Sequence, residues 1–163
     1  MHIRKTKTDD IDEVCDIFNE ARAYMKEIGN PNQWGDFHPV RDLLIKDIEA
    51  GKSYVCIDDN DRVSAYFYFN IENDPTYAKI NGSWLNDEPY GVVHRIAKRR
   101  DAPKGSAEAC IRWCLEQCDN VRLDTHKDNI PMLKLAEKLN FTYCGIIWIA
   151  SGDERMAFHC SLL

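Results

Sequence analysis

Residues 90–141 decide the fold, and they read YGVVHRIA (90–97), KRRDAPKGS (98–106), AEACIRWCLEQC (107–118), DNVRLDTHKDN (119–129) and IPMLKLAEKLNF (130–141). The first block has the alternating, β-branched character of a strand. Apolar residues at helical spacing then predict a helix over 106–118. A second strand follows, and a loop with an Asn leads into a second helix. The stretch therefore predicts strand, basic loop, helix, strand and helix.

The loop between the first strand and the first helix is rich in positive charge. Four of the nine residues in 98–106 are Lys or Arg, whereas the whole chain has a formal net charge of -6. The first turn of a helix offers unpaired N–H groups and the positive end of the helix dipole, so it favours an anion. The two features together predict a site for a phosphorylated ligand. The alternative is a solvated loop, which is the usual fate of a charge run.

Length and composition predict one folded domain over residues 1–163. Of these residues 44% are hydrophobic and 10% aromatic, which is enough for a substantial core. No apolar run reaches membrane-spanning length and the N-terminal residues do not resemble a signal peptide, so we expect a cytoplasmic protein that does not bind membranes. The negative net charge argues against nucleic acid as a partner.

The seven cysteines are expected to be reduced thiols without a catalytic role. Cys110, Cys114 and Cys118 recur every four residues and so lie on one face of the predicted helix. No further Cys or His converges on them in the sequence, so we expect no metal site and predict that they pack against the sheet.

The flanking segments complete the predicted fold. They predict a strand near residues 3–5, a helix capped by residues 8–10, a second helix over 39–50, and a hairpin of strands 53–57 and 62–71. Residues 72–89 are irregular and polar, and a last hairpin covers 143–149 and 155–161. The order β-α-α-β-β-β-α-β-α-β-β predicts an α/β (α+β) fold with a single mixed, mostly antiparallel β-sheet flanked by helices.

Two motifs in this order resemble the GNAT superfamily of acyl-CoA-dependent N-acyltransferases. The loop Ala102-Pro103-Lys104-Gly105-Ser106-Ala107 is a degenerate form of the superfamily pattern Q/R-x-x-G-x-G/A, because Ala102 replaces the usual Gln or Arg. Asn129, and the helix end LAEKLNF at 135–141, match the second pattern, with Asn140 where relatives have Gly. Asn also tolerates the left-handed conformation that ends a helix.

The resemblance implies acetyl-CoA as cosubstrate and no metal. In that superfamily two central strands splay apart, pantetheine lies in the gap, and the Gly-containing loop wraps the pyrophosphate. Transferred to this sequence, the cofactor-binding residues are Ile96, Ala97, Lys98, Lys104, Gly105, Ser106, Ala107 and Asn129. The resemblance also marks a departure, because Ala136 stands where many relatives have a Tyr that protonates the leaving thiolate.

Acyl transfer to an amine needs a group that takes the amine proton, and His94 is the candidate. Its imidazole can accept a proton near neutral pH, and strand alternation predicts that it shares a face with Ile96, whose backbone N–H is expected to polarise the acyl carbonyl. The alternative is a histidine that is merely hydrogen-bonded in the sheet. Arg95 is expected to point the other way and to pair with an acid. Tyr143 is a second catalytic candidate, and so is Tyr90, as substitutes for the missing Tyr.

The acceptor is expected to be a small-molecule amine or an amino-acid-like compound. In GNAT-like chains the segment between the first two helices borders the acceptor pocket, and here that segment combines amide side chains with an aromatic ring. The predicted wall consists of Met25, Asn30, Gln33, Trp34, Glu72, Trp84 and Tyr90, although loop packing explains these residues equally well. A homodimer remains open.

The sequence supports three functions. The first is an N-acetyltransferase that moves an acetyl group directly from acetyl-CoA to the acceptor amine. The second is a GNAT-like module that binds CoA without turnover and acts as a sensor or interaction domain, because the loop is degenerate and Ala136 replaces Tyr. The third is a small-ligand-binding protein that does not use CoA.

Overall fold

The computed structural model describes residues 1–163 and contains eight strands and four α-helices. No helix combines the length and the apolar character that crossing a membrane requires. Two short 3-10 turns lie at Thr8–Asp10 and Pro75–Tyr77. In chain order the elements are β1 His2–Lys5, α1 Ile11–Glu27, α2 Arg41–Glu49, β2 Ser53–Ile57, β3 Val63–Ile71, β4 Asn81–Gly82, β5 Gly91–Lys98, α3 Ser106–Gln117, β6 Asn120–Thr125, α4 Ile130–Lys138, β7 Thr142–Trp148 and β8 Glu154–Ser161.

All eight strands form one sheet in the order β1-β2-β3-β5-β6-β8-β7-β4. Every neighbouring pair is antiparallel except β5 and β6, which run parallel. Such a parallel pair needs a crossover connection, and α3 supplies it. The predicted mixed, mostly antiparallel sheet with flanking helices is therefore confirmed.

The parallel pair separates soon after it begins. β5 and β6 pair only at Gly91 with Val121 and at Val92 with Arg122. Beyond these two pairs the strands diverge, so the edge of β5 from Val93 onward has no ladder partner on that side. A gap therefore opens in the middle of the sheet, as the resemblance implied.

Two apolar clusters cover the opposite faces of the sheet. On one face Phe67 of β3 packs in a cluster with Ile111 of α3 and with residues of α4. On the other face Tyr66 packs with Phe18 of α1 and with residues of α2. Because side chains alternate along a strand, consecutive residues of β3 stabilise different helix layers. The burial of Cys110 and Cys114 in the first cluster confirms that these thiols pack against the sheet, and all seven cysteines are unpaired.

A β-bulge interrupts β5 beside the gap. Arg95 and Ile96 lie opposite a single residue of β3, and Arg95 has a positive φ of 50°. The extra residue shifts the alternation by one position. Ile96 therefore packs toward α3, whereas His94 and Arg95 both contact residues on the opposite face. The predictions that His94 shares a face with Ile96 and that Arg95 points away from His94 are wrong for this reason.

The predicted element order holds with one addition, the two-residue strand β4. It lies in the segment that the sequence marks as irregular, and it pairs with β7 at the sheet edge. The close approach of Gly82 and Gly145 explains both glycines, since a Cβ on Gly82 would lie 2.0 Å from the Cys144 carbonyl oxygen. A strand of two residues has no periodicity that a sequence could reveal.

Candidate active site

A large cavity occupies the gap between β5 and β6. Its volume is about 1170 Å³. Its walls come from both strands, from the N-terminal turns of α3 and α4, from α1, and from the segment between α1 and α2. None of the seven cysteines lines it. The cavity therefore extends from the start of α3, where the sequence predicts an anion site, to His94 of β5.

The start of α3 presents backbone N–H groups to the cavity. Gly105 caps the helix in the left-handed conformation, with a φ of 88°, and a Cβ there would meet no atom within 4 Å. The N–H groups of Ala107 and Glu108 have no acceptor within the protein. Ser106 is buried and its hydroxyl donates to the Pro103 carbonyl, so its side chain does not line the cavity.

Only part of the basic loop is free to meet a ligand. Arg99 is buried and pairs with Asp58 and Asp101, so it fastens the loop to the β2–β3 hairpin. Arg100 pairs with Glu27 of α1. Lys98 and Lys104 line the cavity, and neither lies within ion-pair distance of a carboxylate, unlike both arginines. The local positive charge toward the cavity is therefore smaller than the sequence indicates.

Amide side chains connect the segment between α1 and α2 to the start of α4. The Gln33 side-chain oxygen accepts hydrogen bonds from Asn30, at 2.9 Å, and from Asn129, at 3.0 Å. The Asn129 side-chain oxygen in turn accepts from the Met132 N–H and caps α4. Asn30 is fully buried and its side-chain oxygen has no partner. This network holds the segment over the gap.

His94 forms a close pair with an acid that the sequence analysis did not select. Its Nε2 lies 2.5 Å from a carboxylate oxygen of Asp74. The Tyr90 hydroxyl accepts from the Asp74 N–H, and Thr76 donates to the Asp74 carboxylate. Burial acts to raise the pKa of Asp74, but the hydrogen bonds from His94 and Thr76 outweigh it and lower that pKa to about 2. Asp74 therefore stays ionised and orients the imidazole.

A second acid of the cavity lies on β6. Asp124 accepts a hydrogen bond of 2.6 Å from the hydroxyl of Tyr77, whose ring is 6.0 Å from that of His94. Burial raises the pKa of Asp124, although the charge of His94 and the Tyr77 hydrogen bond oppose the shift. Burial likewise raises the pKa of Tyr77 well above its usual value, so its phenol remains a donor.

Guanidinium groups surround the same end of the cavity. Arg95 makes two hydrogen bonds to Asp47 of α2, at 2.9 and 3.0 Å, so its predicted pairing with an acid is confirmed. His38 also lines the cavity, and burial, followed by the charges of Arg95 and other arginines, lowers its pKa. Arg155, at the start of β8, is 5% exposed and hydrogen-bonds only to carbonyl oxygens.

The cavity wall contains most of the predicted cofactor residues, three of the predicted acceptor residues and the catalytic candidate His94. Those that do are His94, Ile96, Ala97, Lys98, Lys104, Gly105, Ala107, Asn129, Met25, Gln33 and Trp34. Those that do not are Ser106, Asn30, Glu72, Trp84, Tyr90 and Tyr143.

The predicted residues outside the cavity wall make other contacts. Asn30 and Tyr90 support lining residues through hydrogen bonds, and Trp84 packs on Tyr77. Glu72 contacts the Tyr68 hydroxyl. Tyr143 lies in a separate, smaller surface hollow beside Phe158, because its position on β7 is two strands away from the gap.

The sequence analysis missed Asp74, Tyr77, Asp124, His38 and Arg155. Two of them carried a signal. Asp124 is the one acid within the strand 120–125, and Asp74 precedes a Pro in a pattern typical of a cap. The others become neighbours of His94 only through the packing of segments distant in sequence.

Comparison with solved structures identifies the fold. A GNAT-family acetyltransferase of Streptococcus agalactiae is 29% identical, with a TM-score of 0.90, over 99% of this chain and 95% of its own. The chain belongs to the GNAT superfamily. A phosphinothricin acetyltransferase of Sinorhizobium meliloti, solved in complex with AcCoA, has the same GNAT fold at 14% identity, with a TM-score of 0.66 over 99% of this chain and 88% of its own.

The relation to other GNAT sequences is distant. No family model matches the chain. A streptothricin acetyltransferase of Escherichia coli is 29% identical over 101 residues, which cover 58% of this chain and 57% of that protein. The match thus spans little more than half of the length of that acetyltransferase.

Proposed function

We propose that this protein is an N-acetyltransferase that moves an acetyl group from acetyl-CoA to an amine of a small-molecule or amino-acid-like acceptor. The observation that carries the proposal is one cavity that contains both the free N–H groups of the α3 start and the His94–Asp74 pair. The first is suited to a pyrophosphate and the second to removal of a proton.

The cofactor end of the cavity has features that fit acetyl-CoA. Gly105 faces open space and the N–H groups of Ala107 and Glu108 lack acceptors, so a diphosphate has room and donors. Lys98 and Lys104 add positive charge at the same end. Thr125 of β6 has a buried hydroxyl without a partner in the cavity wall, which is an available hydrogen bond for a ligand between the strands.

His94 is the residue that we assign to deprotonation of the acceptor. Because an ionised Asp74 only accepts hydrogen bonds, the His94 Nε2 must carry the proton of their shared contact. The other ring nitrogen, Nδ1, then has its lone pair free to take the proton of the amine. Asp74 stabilises the resulting imidazolium, as an acid that orients a catalytic histidine does.

Acetyl-CoA supplies a thioester whose carbonyl carbon accepts the amine. The unpaired edge of β5 beyond Val92 offers backbone N–H groups for the developing oxyanion, and we assign Ile96 and Ala97 to this role. Direct transfer needs no enzyme nucleophile, which agrees with a cavity that no cysteine lines.

The leaving thiolate receives its proton without the Tyr of many relatives. Ala136 is 1% exposed and packs in the core between α4 and the sheet. Tyr143 and Tyr90 lie outside the cavity wall, so the proposal does not include them as acids. A thiolate is a fair leaving group, and we assign its protonation to water or to the proton that the amine releases.

The buried Ala136 also favours the second candidate function, a CoA-binding module without turnover. The two functions differ in whether free thiol appears. The purified protein would be incubated with acetyl-CoA and a panel of amines that includes streptothricin and free amino acids, while free CoA thiol is measured.

The proposed enzyme releases thiol in step with acetylated amine, and the His94→Gln variant releases far less. Binding of CoA by calorimetry without thiol release for any amine would contradict the enzyme and favour the module. The absence of any CoA binding would contradict both functions.

A further inference from the structure

We propose that the acceptor carries a carboxylate as well as its reactive amine, and that Arg155 binds this carboxylate while the amine faces His94. The inference rests on the proposed acetyl transfer and names the chemical class of its acceptor. It makes amino acids and other amino carboxylates the preferred substrates, rather than simple amines or polyamines.

Arg155 has donors to spare although its side chain is buried. It is 5% exposed and lines the cavity. One terminal nitrogen donates to the Glu154 carbonyl at 2.9 Å, and the other to the Gln33 carbonyl at 3.1 Å. A guanidinium has five N–H groups, so three remain. The two carbonyl contacts fix the direction of the guanidinium without neutralising its charge.

The other buried or half-buried arginines each have a kind of partner that Arg155 lacks. Arg99 pairs with Asp58, and Arg95 pairs with Asp47. Arg122 has no carboxylate, but its guanidinium lies between the rings of Trp84 and Tyr90, at 4.3 and 3.9 Å from their centres. Arg155 has neither kind of partner.

A buried charge without a partner costs free energy of folding. The protein tolerates this cost in Arg155 at the wall of the cavity between β5 and β6, where a ligand can supply the missing anion. A planar guanidinium with adjacent free donors suits a carboxylate, since it can bind both oxygens at once.

The charged groups around Arg155 leave its charge uncompensated. The charges of Asp124 and Asp153 act on Arg155, but neither acid forms an ion pair with it. Asp124 accepts a hydrogen bond from the Tyr77 hydroxyl, so its carboxylate already has another partner. His38 lies near the positive charges of Arg95 and Arg22, and burial together with these charges lowers the pKa of its imidazole. The surroundings therefore favour an incoming anion.

Arg155 and His94 are placed so that one small molecule can reach both. They lie on β8 and β5, which are separated only by β6, and both side chains line the same cavity. Adjacent strands are about 4.8 Å apart, so β5 and β8 lie roughly 10 Å apart or slightly more where the strands splay. An Arg side chain is long enough to bridge much of this separation, which leaves room for a small amino carboxylate.

The test compares amines that differ only in the carboxylate. The pairs are L-leucine with isoamylamine, L-phenylalanine with phenethylamine, and 4-aminobutyrate with propylamine, each with acetyl-CoA and the intact protein. Charged hydrogen bonds of this kind predict that kcat/KM is about 10- to 100-fold higher for the carboxylate member of the pair that fits best. The preference should lie mainly in KM.

Variants of Arg155 then locate the preference. Arg155→Met should reduce the ratio of kcat/KM between the two members of a pair toward unity. Arg155→Lys keeps the charge and packs more easily, so it should retain part of the preference. Arg41→Met, at an exposed arginine outside the cavity, should keep the full preference. Circular dichroism and CoA affinity check that each variant is folded.

The outcomes separate this inference from the function on which it rests. Equal rates for both members of every pair, or a preference that Arg155→Lys and Arg155→Met leave intact, would overturn the carboxylate site while acetyl transfer stands. If no amine of any kind led to thiol release, both the carboxylate site and the proposed acetyl transfer would be overturned.

Discussion

The two ends of the cavity are built in different ways. The end that we assign to the cofactor, called the cofactor end, depends on backbone, namely the left-handed Gly105 and the free N–H groups of the first turn of α3. The end that we assign to the acceptor, called the acceptor end, depends on side chains from separate segments, such as the pairs His94–Asp74 and Arg95–Asp47. A backbone site follows from a short local motif, whereas a side-chain site requires that the whole fold be in place.

This difference has a consequence for stability. The acceptor end contains the half-buried Arg95–Asp47 ion pair and the His94–Asp74 hydrogen bond, so its residues contribute both to the site and to the fold. The cofactor end presents exposed lysines whose loss leaves the fold intact. Changes at the two ends should therefore affect different measurements, and the following substitutions test that separation.

The largest effect on stability is expected from Asp47→Ala. This change leaves Arg95 half-buried without its acid and removes the acceptor of the Tyr66 hydroxyl. We expect the free energy of unfolding to fall by about 3 kcal/mol, measured by urea denaturation. The control is Asp12→Ala, which breaks an exposed pair with Arg41 and should change stability by about 0.5 kcal/mol or less. Equal effects of the two variants would contradict the buried pair.

The next effect is expected from His94→Gln, and it concerns rate. Loss of the proton acceptor should lower kcat/KM by about 10²-fold, with CoA affinity retained. The rate should recover in part at high pH, where more of the acceptor amine is already neutral. The measurement is thiol release across a pH series. A wild-type rate at every pH would show that the proton leaves by another path.

Acid stability tests the His94–Asp74 contact itself. Since the pKa of Asp74 is lowered from 3.8 to about 2, this group stabilises the fold above pH 3.8 and loses that contribution as pH falls toward 2. The shift corresponds to about 2 kcal/mol. Urea denaturation of wild type and Asp74→Asn should differ at pH 6 and converge near pH 2. A difference that is constant with pH would contradict the lowered pKa.

The smallest effect is expected from Lys104→Ala at the cofactor end. A solvated charge contributes about 1 kcal/mol, so CoA affinity should fall about fivefold with no change in stability. The matched control is Lys79→Ala, a lysine outside the cavity that lies over the Trp148 ring. Calorimetry with CoA provides the measurement, and a lower unfolding midpoint for Lys104→Ala would contradict the separation of the two ends.

The sequence predicted the local structure at the start of α3 well because its elements are contiguous. Gly105, Ala107 and the helix over 106–118 needed only local periodicity and a motif of six residues. The sheet order likewise followed from the order of elements and their resemblance to the GNAT pattern. The positive charge at the start of α3 is smaller than the sequence predicts, because Arg99 and Arg100 pair with carboxylates of the protein.

The acceptor end was predicted poorly because one bulge and several long-range contacts decide it. Strand alternation failed at Arg95, where the positive φ places two consecutive side chains on one face. Asp74 and His94 are 20 residues apart in sequence, and Arg155 reaches the Gln33 carbonyl across 122 residues. No local pattern indicates such pairs.

The most direct test of the central claim is the affinity of CoA for a Gly105→Glu variant. The added side chain would strain a left-handed residue and place negative charge where we assign the pyrophosphate. Gly51→Glu is the matched control, because Gly51 is also left-handed, with a φ of 69°, and lies outside the cavity. Calorimetry should show that Gly105→Glu weakens CoA binding by about 30-fold or more, as loss of several charge-assisted hydrogen bonds implies, while Gly51→Glu binds as wild type does. Equal CoA affinity in the wild type and both variants would contradict the assignment of this cavity to acetyl-CoA.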